Sequence, residues 1–314
     1  MWTQIAARIA EATGEDFQIN SRHSVSGGCI NQGYAVIGNT ATYFVKLNKA
    51  SHVEMFEAEA LGLKQMLATK TIRVPKPICS GTVTDFAYIV MEWLELGGGS
   101  NTKSWEQMGC QLAAMHRTKP PQPQEKLKVD GLKVESSNRQ PSNLQGEFGW
   151  NLNNTIGSTP QINQWTSDWA EFFTEHRINY QFQLARRRGG HFPQQERLLS
   201  AIPKLLNHQP QPSLVHGDLW GGNAAVTTSG EPVILDPATY VGDREVDIAM
   251  TELFGGFPSA FYRAYEDAWP LDSGYKLRKT LYNLYHILNH FNLFGGGYAS
   301  QANRMIEQIL SNVR

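Results

Sequence analysis

The stretch His216-Gly217-Asp218-Leu219-Trp220-Gly221-Gly222-Asn223, followed by Val233-Ile234-Leu235-Asp236 with its acid thirteen residues after the asparagine, decides how this 314-residue chain is read. Phosphoryl transfer asks little covalent help of a protein. It needs a carboxylate beside the attacking hydroxyl and oxygen ligands for a divalent metal. The spacing H-x-D-x-x-x-x-N, with a later Asp closing an apolar strand, supplies both. Asp218 is therefore the candidate catalytic residue, orienting and deprotonating an acceptor hydroxyl. Asn223 and Asp236 are candidate Mg2+ ligands that would hold the metal against the phosphates of ATP, since hard cations take oxygen donors. His-Gly-Asp alone would fit a polar turn between two strands; the spaced Asn and Asp make the difference.

A nucleotide site should then lie upstream. Lys46 sits in Tyr43-Phe44-Val45-Lys46-Leu47, a strand otherwise apolar and aromatic. The helical pattern after it carries Glu59 three residues past Phe56 and four before Leu63, beside the buried stripe. Glu59 can thus pair with Lys46 and fix it on the α- and β-phosphates; Glu57 fits the stripe less well. Before Lys46 runs Ser26-Gly27-Gly28-Cys29-Ile30-Asn31-Gln32-Gly33. Gly27 and Gly28 would let the backbone approach phosphate, although the segment departs from G-x-G-x-x-G. The strand Tyr88–Leu94 should lead to a hinge, where backbone groups of Glu92 and Leu94 meet adenine. Asp247, in Asp243-Arg244-Glu245-Val246-Asp247, is expected to brace the catalytic loop rather than to react.

Patterning around these residues predicts an α+β, bilobal, protein-kinase-like fold with a small β-rich N-lobe and a larger, mainly helical C-lobe. Residues 3–13 place Ile5 and Ile9 at helical spacing, and Gly38-Asn39 joins the strands Tyr34–Ile37 and Thr42–Leu47. Residues 52–68 form a helix with Phe56, Ala60, Leu63 and Leu67 on one stripe, broken by Val74-Pro75-Lys76-Pro77; Phe86–Trp93 is a strand. Gly97-Gly98-Gly99 reads as the hinge, dividing a nucleotide-binding unit (1–96) from one carrying the catalytic loop and acceptor site (97–314). Past it, Ser104 and Gln107 suggest a capping box for a helix burying Trp105, Met108, Leu112 and Met115. Residues 118–163, rich in Pro, Gln, Asn and Gly, read as a long ordered loop. Helices resume at 165–188 and 194–206, and Leu277, Leu281, Leu284, Leu288 and Phe291 mark a last buried helix.

Composition narrows the setting. Hydrophobic residues at 41% against 18% charged argue for a packed core, and a net charge of -1 offers no field for nucleic acid or a membrane. The run Arg186-Arg187-Arg188 reads as a solvated helix end. Three cysteines, Cys29, Cys79 and Cys110, make neither a disulfide framework nor a zinc site. The N-terminus lacks a basic n-region and an apolar h-region, and no apolar run reaches the roughly 20 residues that span a bilayer. A cytoplasmic location is the expectation. His286 and His290, at i and i+4, lack the third ligand that zinc would require.

Further stretches carry a resemblance. Phe148-Gly149-Trp150, Asn154-Thr155-Ile156-Gly157-Ser158-Thr159-Pro160-Gln161, Trp165 with Asp168-Trp169, the HGDLWGGN run, Asp236-Pro237-Ala238-Thr239-Tyr240-Val241-Gly242-Asp243-Arg244-Glu245, and Asn289-His290-Phe291-Asn292 with Phe294-Gly295 together span nearly the whole chain. In these the sequence resembles the fructosamine kinase (ketosamine-3-kinase) family, relatives of aminoglycoside and choline kinases. The resemblance implies ATP-dependent phosphorylation of the O3 hydroxyl of ketoamine adducts (fructosamine, ribulosamine, erythrulosamine), free or on protein lysines. The 3-phosphate would then eliminate and free the amine, a deglycation repair. It also implies that Trp220 floors the sugar, with core packing as its alternative use, and that His290 and Asn292 bond sugar hydroxyls.

Other classes fit less well. A protein kinase needs an activation loop, yet ten residues separate Asp236 from Asp247 and no A-P-E element follows. A non-catalytic kinase-like scaffold would lack the lysine, the base or a metal ligand. An aminoglycoside or choline kinase, with a cationic acceptor, is the nearest alternative. Cys29, among backbone amides that favour thiolate, is a candidate redox thiol able to link two copies as a disulfide homodimer; burial as a small hydrophobe is the other reading.

Overall fold

The computed structural model describes residues 1–25, 30–97, 101–123 and 146–313. A five-stranded antiparallel sheet builds the N-terminal part, from β1 (Ile19–Val25), β2 (Gln32–Gly38), β3 (Thr42–Lys49), β4 (Pro77–Val83) and β5 (Phe86–Glu92), in the order β1-β2-β3-β5-β4. Alternation along the strands gives the sheet two apolar faces. Tyr43, Val45, Leu47, Tyr88 and Val90 point to α1 (Trp2–Thr13), whose Ile5 and Ile9 are fully buried against them. Ile89 and Met91 point the other way, into a core shared with α2 (Val53–Thr69) and the rest of the chain. Lys46 is on β3, paired with Gly33 of β2 and Ile89 of β5. A cation is thereby held at the centre of the sheet.

The remainder is mainly helical. α3 (Thr102–Arg117) packs along α8 (Ser259–Ala268); between them in sequence come the hairpin β6–β7 (Asn154–Ile156, Thr159–Gln161) and α4 (Trp169–Phe173). A π-helical turn, Thr174–Asn179, carries α4 into α5 (Tyr180–Arg187), and α6 (Gln195–Leu205) follows. The strands β8 (Pro212–Val215) and β11 (Tyr240–Asp243) pair with each other and enclose the short hairpin β9–β10 (Ala224–Val226, Pro232–Ile234). α7 (Glu245–Leu253), α8, α9 (Tyr275–Phe294) and α10 (Tyr298–Ser311) complete the chain. No helix among the described residues is long and apolar enough to cross a membrane.

The α+β, bilobal architecture is as expected, with local corrections. Asn101, not Ser104, caps α3: its Oδ1 accepts the Ser104 amide at 2.9 Å, and the helix starts earlier than the proposed capping box. The Ser104 hydroxyl instead donates to the Gly230 carbonyl. Residues 118–163 are not all loop, since β6 and β7 lie inside; 124–145 fall outside the described residues. Leu277 is 51% exposed, while Leu281, Leu284, Leu288 and Phe291 are buried. Arg186, Arg187 and Arg188 end α5 in solvent. Of the proposed hinge, Gly98 and Gly99 lie outside the described residues; just before them, Leu96 bridges to Thr227 and the Gly97 amide donates to the Val226 carbonyl. The chain therefore leaves the sheet bonded to the hairpin that precedes Asp236.

Candidate active site

Lys46 joins the two halves of the chain. Its ammonium bonds Glu59 of α2 at 2.7 Å and also reaches the Asp236 carboxylate, 190 residues away in sequence. Burial disfavours the charged lysine, but Asp236 and Glu59 outweigh it and hold the ammonium well above its ordinary value. The helix stripe thus selected Glu59 over Glu57 as the partner of Lys46.

Asp236 ends the β10 segment with φ of +53°, a left-handed conformation that a non-glycine residue adopts at a cost of about 1–2 kcal/mol. Its neighbours are tied down by three bonds, and the supports are bonded to each other. The Ala238 amide donates to the His216 carbonyl, Asn154 Nδ2 donates to the Thr239 carbonyl at 2.8 Å, and Gln161 Nε2 donates to the Ala238 carbonyl at 3.0 Å and to Asn154 Oδ1 at 2.8 Å. Tyr285 Oη donates to Gln161 Oε1 at 2.7 Å. Behind them Asn163 Nδ2 donates to Asn154 Oδ1, and Arg177 Nη2 donates to Asn163 Oδ1, both at 2.8 Å. The buried Arg177 guanidinium lies over the rings of Tyr240 and Phe172 at 4.1 and 4.6 Å.

The loop bearing Asp218 is held as firmly. Asp247 at the start of α7 accepts the His216 amide at 2.7 Å and the Gly217 amide at 2.8 Å, and His116 of α3 bonds its Oδ2 at 3.0 Å. Burial works against the Asp247 charge, yet the hydrogen bonds from His116 and the His216 amide keep its pKa below the usual carboxylate range. His216 has one neutral tautomer that fits: Nδ1 accepts the Asp218 amide at 3.2 Å while Nε2–H donates to the Leu235 carbonyl at 2.8 Å. Burial holds its pKa below the usual imidazole value. Gly217 must be glycine, since φ is +80° and a Cβ would lie 2.2 Å from the Ala238 carbonyl oxygen.

Asp218 is half-buried, and its pKa is pushed up to about 7, first by burial and then by the negative charge of Asp236. A group titrating there is poised to take a proton near neutrality. Asn223 donates from Nδ2 to the Asp218 carbonyl at 2.8 Å and to its carboxylate at 3.2 Å. With the amide nitrogen so committed, Oδ1 is the atom Asn223 can offer a cation. That oxygen and the half-exposed Asp236 carboxylate fit a hard divalent ion.

The remaining sequence-derived residues divide. Trp220 is 39% exposed and lies across Gly222, where a Cβ would meet its ring at 2.4 Å; the core-packing alternative does not hold. His290 donates from Nδ1 to the His286 carbonyl at 2.8 Å, so Nε2 of the neutral ring is an acceptor, and its ring packs 4.9 Å from that of Phe254. Asn292 does not fit its expected role. Its Nδ2 bonds both the carbonyl and Oε1 of Gln181, at 3.0 and 2.6 Å, tying α9 to α5. Glu92 is also mostly committed elsewhere: its amide donates to the Lys76 carbonyl, and its carboxylate bonds Arg73 and the Lys76 amide. Neither its amide nor its carboxylate is then free for adenine; Leu94, two residues on, is half-buried. Gly27, Gly28 and Cys29 lie outside the described residues. Cys79 is inert, its thiol pushed up to about 12 by burial. His116, Asn154, Gln161, Asn163 and Arg177 were not singled out as support for the site by sequence reasoning. The polar 148–169 stretch signalled some of them, but neither spacing nor periodicity says which carbonyl a buried amide will reach.

The sequence profile of the fructosamine kinase family matches residues 1–312. A probable ketoamine kinase of Synechocystis is 54% identical over 98% of this chain and 97% of its own length. The chloroplastic protein-ribulosamine 3-kinase of Arabidopsis thaliana is 40% identical over 95% of this chain and 85% of its own. Among solved structures, a Haemophilus somnus protein provisionally named a fructosamine-3-kinase superposes with a TM-score of 0.85 at 29% identity, covering 99% of this chain and 98% of that one. A choline kinase of Streptococcus pneumoniae shares the fold at 15% identity and a TM-score of 0.58, with 99% of each chain covered.

Proposed function

The chain belongs to the fructosamine kinase family, and from that premise we propose that it phosphorylates the O3 hydroxyl of ketoamine adducts, using ATP and Mg2+. The observation that carries the chemistry is Lys46, bonded at once to Glu59 and to Asp236, the acid that closes the segment after the Asp218 loop. Residues 1–96 bind the nucleotide in this reading, and 97–314 carry the catalytic loop and the acceptor site. Lys46, kept charged and fixed by Glu59, lies on the α- and β-phosphates, and the backbone of Glu92 and Leu94 meets the adenine. Mg2+, when bound by Asn223 and Asp236, offsets the charge of the transferred phosphoryl group.

Asp218 does the proton work. Its carboxylate accepts the O3 proton as the oxygen attacks, while Asn223 holds that carboxylate in place. Asp247 orients the loop through two backbone amides and takes no proton itself. Trp220 offers an exposed ring face to the C–H side of the sugar, and His290 offers Nε2 as an acceptor for a hydroxyl. The 3-phosphate is then positioned to leave by elimination, freeing the amine in a repair of glycated protein. The test is ADP release with erythrulose-, ribulose- and fructose-derived lysine adducts against kanamycin and choline. Turnover of the ketoamines is expected, with shorter sugars at least as good as fructose. Turnover of kanamycin or choline alone would defeat the reading.

A further inference from the structure

The rings do not stop at Trp220. Its centroid lies 6.2 Å from that of Phe254, Phe254 lies 4.9 Å from His290, and His290 lies 5.6 Å from Phe294 and 5.1 Å from Tyr298. These side chains come from the catalytic loop, the end of α7, α9 and the start of α10, and they form one connected row. Trp220 and Phe294 are its exposed members, at 39% and 60%, and Phe254, His290 and Tyr298 are half-buried. A second edge meets it. A Cβ at Gly157, in the β6–β7 turn, would lie 3.1 Å from Leu293 Cδ1 and 3.2 Å from Ile30 Cδ1. Leu293 is one turn from His290 on α9, so Ile30 borders the same mouth. Three of the six large apolar side chains that are exposed among the described residues, Ile30, Trp220 and Phe294, thus gather here from distant parts of the sequence.

Solvent-facing apolar rings concentrated beside a reaction centre mark a contact surface. This row starts two residues from Asp218, at the ring proposed to pack on the sugar, so it lies beside whatever carries the reacting hydroxyl. Laid end to end, the steps from Trp220 to Phe294 span at most about five residues of extended polypeptide at about 3.3 Å each. None of the ring side chains is charged at neutral pH, because burial keeps the His290 pKa below its ordinary value.

We propose that the row Phe254–His290–Phe294–Tyr298 is a docking strip for the polypeptide flanking a glycated lysine, and that it favours apolar or aromatic neighbours. The inference rests on the ketoamine reading and extends it from the sugar to its carrier. Aromatic faces that pack on side chains of a passing segment lower KM for the carrier and leave the chemical step untouched.

The experiment compares three ribulosamine acceptors: an Nα-acetyl-lysine adduct, a pentapeptide with the modified lysine between Leu and Phe residues, and the same peptide with Gly and Ser. The wild type should show about tenfold higher kcat/KM for the apolar peptide than for the polar one. Phe294→Ser should abolish that difference through KM, leaving the free lysine adduct within about twofold of wild type, and Phe294→Tyr should retain it. Equal wild-type rates on the two peptides would overturn the proposal. So would a parallel loss on all three acceptors in Phe294→Ser, or unchanged peptide rates with loss of a concentration-dependent dimer, which would assign the strip to a second copy of the chain. Failure of every adduct would instead defeat the ketoamine reading, and this inference with it.

Discussion

The loop around Asp218 and the row of rings beyond Trp220 adjoin in space and are built on opposite principles. Hydrogen bonds from buried side chains hold the loop, through Asp247 and His116, and the Asp236 turn beside it, through Gln161 and Asn154. Van der Waals contact between rings holds the row, whose outer member is mostly in water. A phosphoryl transfer site works only in one geometry, so its supports are directional and leave no slack. A surface that meets a variable carrier gains from contacts that carry area without direction. Changes to the first region should therefore be costly in rate, and changes to the second should alter preference.

The largest expected effect is at the base. Asp218→Asn should lower kcat by roughly 10²- to 10⁴-fold while nucleotide still binds, as ADP release and nucleotide titration would show. Retention of wild-type rate would remove Asp218 from its role. Next comes the brace: Asp247→Ala leaves two buried amides and His116 without their acceptor. It should cost about 3–5 kcal/mol in urea unfolding, and a loss below about 1 kcal/mol would show the loop held by something else.

Gln161→Met keeps the side-chain length but not the donors to Ala238 and Asn154. A cost of about 1–3 kcal/mol should fall partly on stability and partly on the Asp236 turn, weakening nucleotide binding in Mg2+ more than in EDTA. Equal weakening in both would confine Gln161 to a structural role.

How far these regions were legible in the sequence follows the same division. Asp218, Asn223 and Asp236 lie within nineteen consecutive residues, and their spacing reports the chemistry directly. Lys46 and Glu59 were found because strand and helix periodicities say which side chains leave the surface. Gln161, Asn163 and Arg177 were not, because a buried amide or guanidinium is justified only by partners that folding brings from elsewhere. The bonds of Arg177 reach Ile162 and Asn163, and its ring contacts reach Tyr240 and Tyr285. Asn292 misled for a related reason. Its role came from the family resemblance, which does not reveal that its side chain is bonded to Gln181 of another helix.

The last expected effect is on stability, and it depends on pH. The Asp218 pKa is raised to about 7, so the folded state disfavours its charged form, and the stability tied to its proton is lost as pH rises from about 4 to about 7. Without metal, Asp218→Asn should therefore melt above wild type at pH 8 and together with it at pH 4. The activity limb has the opposite sign, since the base must be ionised. The kcat/KM for the acceptor should climb with pH toward a plateau, its inflection moving below 7 as Mg2+ rises. A melting difference independent of pH would contradict the assigned pKa.

The most direct test of the account is the position of the phosphate on the product. Ribulosyl-lysine incubated with the enzyme, ATP and Mg2+, then followed by phosphorus NMR, should give a single ester on O3 that decays with release of free lysine. No such ester should form with Asp218→Asn. Phosphate on any other hydroxyl, or an O3 ester formed equally by Asp218→Asn, would contradict it.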